Sequence, residues 1–202
     1  MFDPECIEGR TVALVGRAAS LLEHGDGARI DAADLVIRVN WLWPWAADPR
    51  RVGYRTDCII RASTFPQLED AAREGGIACW PKEWKIGVEQ AQRVGLDASA
   101  VNPRTGIQAI EMVLRRSPRL LYVTGYDLYE SGAATESAKK NPAARAKRRK
   151  RVEAGKKIRK HCYEADEIIL RDILTRHHDC VEIDGVLRRR LDALEIERRE
   201  EI

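Results

Sequence analysis

The chain has 202 residues, 44% hydrophobic and 33% charged, with a formal net charge of only +3, a balance that excludes disordered and collagen-like classes. It is long enough for one domain with a sizeable core. Five cysteines without CxxC or Cys/His zinc spacing argue against a disulfide framework or structural zinc; with no N-terminal leader and no apolar run near the roughly 20 residues of a bilayer span, a cytoplasmic protein is expected.

Val12 to Val15 is a β-branched and aliphatic strand, and Gly16 ends it where the backbone turns tightly or approaches a ligand closely. Ser20 follows as a hydroxyl and possible helix cap, where a phosphate would meet free N–H groups. Leu35 to Val39 is the second strand, with Arg38 and Asn40 able to face the edge where open α/β sheets bind ligands. A dinucleotide fingerprint does not fit, because the turn Gly16-Arg17-Ala18-Ala19-Ser20 lacks the three spaced glycines and the second strand closes on Asn40 rather than an acid. Asp31 and Asp34 precede that strand and punctuate the loop.

A turn-rich loop, WLWPWAADPRRVGYRT, leads to a strand at Asp57 to Arg61, a short helix at Phe65 to Glu74, a strand at Ile77 to Trp80 and a helix at Glu83 to Val94. Thr105 to Arg116 is a clear amphipathic helix with Ile107, Ile110, Val113 and Leu114 on one face. Leu120 to Thr124 is the next strand, ending at Gly125. A basic segment, helical from about Ala143, merges into a helix at Ala165 to Arg176 whose end carries His177 and His178 near the last carbonyls. Cys180 to Ile183 reads as an edge strand and Val186 to Glu200 as a charged helix. The alternation of strands and helices gives an α/β fold with a mostly parallel sheet and helices on both faces, a single domain over 1–202.

Charge is unevenly spread. Ser137 to Lys160 holds twelve Lys or Arg against Glu153, a local net of +11 that leaves −8 for the rest of the chain. Such a run is a solvated helix or a surface that meets anions, including the anionic face of a membrane. Nucleic acid suits it poorly, because no aromatic residue interleaves with the basic ones between Ser137 and Lys160. Trp41, Trp43 and Trp45 with Pro44 form an aromatic loop that packs beneath itself, stacks on a base or sugar, or dips into a membrane interface.

Taken together, VGRAASLL, IDAADLVIRVN and VGYRTD resemble the long sialyl motif of the sialyltransferases of glycosyltransferase family 29, in the same order. NPRTGIQAIEMVLRR followed by LLYVTGYDLY resembles the short sialyl motif, while the GYDLY ending and His161 are also similar to the bacterial sialyltransferases of family 42. The resemblance covers most of Val12 to Tyr129 and the neighbourhood of His161. It implies a single Rossmann-like domain that transfers a nonulosonic sugar from its CMP ester to a glycan or glycolipid hydroxyl with inversion, using no cofactor beyond the CMP-sugar donor.

On that resemblance Gly16 and Ser20 approach the phosphate and ribose, Asn40 binds the nucleotide, and Thr105 and Gly106 at a helix start receive the CMP side with Arg104 beside them. Tyr129 matches the tyrosine that hydrogen-bonds the leaving phosphate. His161 is the general base in HCYEAD, similar to the H-x-x-x-x-D/E pattern of these families. Without the resemblance, His161 reads as a polar residue at a helix start, Tyr129 as a packing residue and Asn40 as a turn cap. No DxD-type metal pair is present, in keeping with a monophosphate leaving group carried by hydroxyls, amides and arginine. The chain departs from both families at Arg17, where they carry asparagine and where an arginine can still pair with the donor phosphate, and Thr11 and Arg116 stand where the animal enzymes place a disulfide. The HYY-type motif is absent, and Thr135 falls where family 42 has a second tyrosine. A non-catalytic protein that keeps this sheet and binds nucleic acid or anionic membrane through the basic segment is the rival reading.

Overall fold

The computed structural model describes residues 2–40, 48–62, 67–128 and 163–200. Six parallel strands form one sheet in the order β4-β3-β2-β1-β5-β6. They are β1 (Thr11–Val15), β2 (Leu35–Val39), β3 (Cys58–Arg61), β4 (Ala78–Pro81), β5 (Leu120–Thr124) and β6 (Val181–Ile183). Each lies within a residue or so of the segment its apolar run indicates. The helices α4 (Gln67–Glu74), α5 (Trp84–Arg93), α6 (Thr105–Leu114), α7 (Tyr163–Arg176) and α8 (Gly185–Glu200) also fall where periodicity puts them.

Three short helices escape the sequence reading: α1 (Leu21–His24), α2 (Gly27–Asp31) and α3 (Pro49–Val52). Segments of four or five residues are too short to show a 3.6-residue period. Local chemistry starts two of them, since Asp26 accepts the Arg29 N–H at 3.1 Å and Asp48 accepts the Arg50 N–H at 3.0 Å, with Pro49 in the first turn of α3.

Strand β1 sits at the centre, with Val12 opposite Leu35 of β2 and Leu121 of β5. Val12, Ala13, Leu14 and Val15 are all fully buried, as a strand covered on both faces requires. Val12 and Leu14 join Ile37, Ile60, Leu121 and Val123 under α5, α6, α7 and α8, whose Ile86, Ile110, Ile169 and Leu191 complete that core. Ala13 and Val15 turn to the other face, where Leu21, Ile30 and Val52 of the short helices cover them together with Val36 and Tyr122. Cys6, Cys58, Cys79 and Cys180 are free thiols, and among the described residues no helix is long and apolar enough to cross a membrane.

Because every strand is parallel, Gly16, Asn40, Ala62, Lys82, Gly125 and Asp184 follow the strand ends along one edge. The chain runs outward from β1 to β4 and then returns to β5 on the other side of β1. That reversal puts the topological switch point between β1 and β5, the usual place for a ligand in an open α/β sheet.

Candidate active site

At the switch point the backbones leaving β1 and β5 touch. Gly16 N–H donates to the Thr124 carbonyl at 2.8 Å and Ala18 N–H to the Gly125 carbonyl at 3.0 Å. A Cβ on Gly16 would lie 2.2 Å from the Gly125 carbonyl oxygen, so only glycine permits this approach. Gly125 itself adopts φ +72°, a left-handed conformation that turns the chain back over β1. Asp184 fixes the turn by accepting Thr124 Oγ1 at 2.7 Å and Gly125 N–H at 3.0 Å, while its second oxygen accepts Leu187 N–H at 2.8 Å and starts α8.

The ring of Tyr126 lies between Gly16 and Gly106. A Cβ on Gly16 would come within 2.8 Å of Tyr126 Cε2, and one on Gly106 within 2.6 Å of Tyr126 Cε1. Three of the predicted donor-binding residues, Gly16, Thr105 and Gly106, are thereby gathered around the switch point, with Thr105 nearly enclosed at 9% exposure. Their immediate neighbour is an aromatic side chain that the sequence reading passed over. Arg104 occupies the N-cap position of α6 without a side-chain cap bond and turns to α7 instead. Its guanidinium meets Asp166 at 2.5 Å, and its own N–H donates to the second Asp166 oxygen at 3.1 Å. Asp166 is the acid of the HCYEAD pattern.

Ser20 stands at the N-cap of α1 but makes no cap bond there; its hydroxyl donates to Asp127, a buried acid two residues past Gly125, at 3.2 Å. Arg17 is half-buried beside Gly16. Asn40 takes φ 58°, which asparagine tolerates better than most residues, and its side-chain oxygen accepts Ala62 N–H at 2.7 Å, tying the ends of β2 and β3 together.

The Campylobacter jejuni α-2,3-sialyltransferase Cst-I is similar in structure at a TM-score of 0.58 and 12% identity, over 87% of this chain and 75% of its own. CstII of the same organism, solved with CMP-3FNeuAc, gives 0.56 and 13% over 86% and 81%. A mammalian sialyltransferase gives 0.53 and 18% over 87% and 69%. The fold is that of the sialyltransferases. No family model matches the chain, and no curated protein matches it by sequence.

Within this sialyltransferase fold Arg38 has a different place from the one its strand alternation suggests. Arg38 is fully buried and does not reach the ligand edge. Its Nη2 donates to the Val52 carbonyl at 2.8 Å and the Arg55 carbonyl at 2.9 Å, and its Nε to Thr56 Oγ1 at 2.8 Å. Burial pushes the guanidinium down to about 10, opposed by the charge of Asp31. The arginine of VIRVN therefore organises the VGYRTD loop. Asp31 and Asp34 do punctuate the loops, accepting Tyr54 N–H at 2.8 Å and Thr11 N–H at 2.8 Å. His178 faces the Thr175 carbonyl at 3.2 Å, as a residue at a helix end should.

Lys82 directly follows β4 and belongs to no motif. It is half-buried, and burial pushes its ammonium down to about 8, with Asp166 acting in the opposite direction. Its only sequence signal is its position directly after an apolar strand. Tyr129, His161, the three tryptophans of the 41–45 loop and the basic segment 137–160 lie outside the described residues. Among the described residues no group of three or more His, Cys, Asp or Glu side chains is arranged to hold a metal ion.

Proposed function

We propose that the chain is a glycosyltransferase of the sialyltransferase type, moving sialic acid or a related nonulosonic acid from a CMP-sugar to a glycan hydroxyl with inversion. The observation that carries this reading is the meeting of Gly16, Gly125, Tyr126 and Gly106 at the switch point, in a fold shared with an enzyme solved with CMP-3FNeuAc. The first turn of α6 directs N–H groups and partial positive charge to that point, which suits the phosphate of CMP. In the reaction the acceptor oxygen forms a bond to the anomeric carbon as the bond from that carbon to the phosphate oxygen breaks. The electron pair leaves on CMP, and the acceptor proton passes to a base, for which the sequence pattern supplies His161. A monophosphate leaving group needs less charge neutralisation than a diphosphate, so the reaction is proposed to run without a metal.

A lipid-linked glycan at an anionic cytoplasmic surface is the acceptor class favoured by the net +11 of residues 137–160. The deciding experiment is calorimetric titration with CMP, UDP, GDP and CMP-sialic acid, followed by transfer assays with and without chelator. Selective binding of CMP and its sugar, with transfer unaffected by chelator, is expected. Failure to bind CMP overturns the reading, and transfer restored only by added magnesium or manganese overturns its metal-independent form.

A further inference from the structure

Thr124 and Gly125, where β5 ends, are held from both sides. Toward β1 they use their carbonyls, Thr124 accepting Gly16 N–H at 2.8 Å and Gly125 accepting Ala18 N–H at 3.0 Å. Away from β1 they use their donors, and both reach one oxygen of Asp184, Thr124 Oγ1 at 2.7 Å and Gly125 N–H at 3.0 Å. Thr124 is fully buried, so without Asp184 its hydroxyl has no water to turn to. Asp184 stands one step past β6, where its own N–H donates to the Val123 carbonyl at 3.0 Å and continues the ladder with β5. Its second oxygen accepts Leu187 N–H at 2.8 Å and caps α8. A helix cap needs a single acceptor, which serine supplies as well. The other oxygen is surplus to that job and is committed to the turn.

We infer that Asp184 is a positioning residue of the switch-point site. From the junction of β6 and α8, outside the segments that resemble the sialyl motifs, it holds the Thr124–Gly125 turn against the Gly16 turn. The inference rests on the reading of the chain as a CMP-sugar transferase. Gly125, at φ +72°, directs Tyr126 into the space between Gly16 and Gly106, so the course of this one turn sets the separation between the end of β1 and the start of α6. Asp184 acts through Gly125 and Tyr126 and not on the donor itself. A turn left loose would have to be ordered by the ligand, and the cost of that ordering is subtracted from affinity.

The test separates the two jobs of the carboxylate. Asp184→Ser keeps an acceptor for Leu187 N–H but is too short to reach the turn; Thr124→Val removes one turn bond and leaves the cap; Asp184→Ala removes both. CMP is titrated calorimetrically into each protein well below its unfolding midpoint, and amide hydrogen exchange is followed in the ligand-free proteins. Asp184→Ser should weaken CMP by about 10-fold and speed exchange at Gly16 and Ala18, while the first turn of α8 stays protected. Thr124→Val should shift both readouts the same way by less, and adding it to Asp184→Ser should weaken CMP no further. A residue that merely caps α8 would weaken CMP only in Asp184→Ala, with exchange rising in α8 and not at Gly16 and Ala18. Unchanged CMP affinity in Asp184→Ser, or unchanged exchange at Gly16 and Ala18, overturns the inference alone. If the parent does not bind CMP, the transferase reading fails and the inference falls with it.

Discussion

Arg104 and Asp166, 62 positions apart in the chain, form an ion pair at the start of α6 in which the arginine side chain is 12% exposed and the aspartate 1%. The bond from Arg104 N–H to the same carboxylate locks the first residue before α6 to α7, so the pair sets where the helix start stands relative to the site. On the proposed function its contribution to donor binding is positional. Asp166→Ala removes the carboxylate that faces a nearly enclosed guanidinium and should cost about 3–5 kcal/mol in urea unfolding. Arg104→Met combined with Asp166→Leu should cost clearly less than the sum of the single changes, and additivity in that cycle would show the pair to be uncoupled.

The two glycines around Tyr126 should respond differently to the same substitution. Gly16→Ala and Gly106→Ala both insert a methyl group into filled space, with an expected cost of about 1–3 kcal/mol each. For Gly106 the obstacle is the Tyr126 ring, whereas for Gly16 the nearest atom is the Gly125 carbonyl oxygen. Adding Tyr126→Leu should therefore recover much of the stability of Gly106→Ala and little of Gly16→Ala. Thermal unfolding of the two double variants decides it; equal rescue would place the ring, not the carbonyl, against Gly16.

Lys82 makes stability depend on pH in a direction opposite to that of a paired lysine. Its proton is held less tightly in the fold, at about 8, than at the ordinary value of 10.5. Between those values the unfolded chain binds more protons than the folded one, so this group's contribution to stability rises as pH goes from 8 to 10.5. Below pH 8 the cost of burying the charge is felt in full. Lys82→Met should stabilise the protein at pH 7 by on the order of 1 kcal/mol after allowance for solvent, with the difference from the parent closing by pH 10.5. Denaturant midpoints of the two proteins at pH 7, 9 and 10.5 give the comparison, and a constant difference would remove Lys82 as the cause.

His161→Gln should keep CMP affinity while lowering transfer by roughly 10²–10⁴-fold, the usual effect of losing a general base. Turnover at the parent's rate would require another base.

The strands and longer helices were legible in the sequence because they are long enough to carry a period, and the apolar runs at Val12 to Val15 and Leu120 to Thr124 fix the central pairing. Their partners across space were not. Nothing local announces that Arg38 turns to the Val52 and Arg55 carbonyls, since a charged residue near a strand end reads equally well as a ligand contact. Gly16 reads as a position of close approach and Gly106 as part of a helix start, but what they meet, the Gly125 carbonyl and the Tyr126 ring for Gly16 and the same ring for Gly106, is identifiable only once β5 is placed beside β1. Lys82 belongs to no motif, and its character comes from burial and from Asp166, 84 positions later by residue number.

The central position of β1 also governs the order in which the molecule can be made. A chain emerging from the ribosome completes β2, β3 and β4 before β5 exists, so one side of β1 waits with its N–H and C=O groups unpaired while Leu120–Thr124 is still to be synthesised. Val12 and Leu14 lack the cover of α7 and α8 throughout that interval. The nascent protein is accordingly expected to need protection along that edge, and a fragment ending before residue 120 would have neither a closed core nor the Gly16–Gly125 contact on which the site is built.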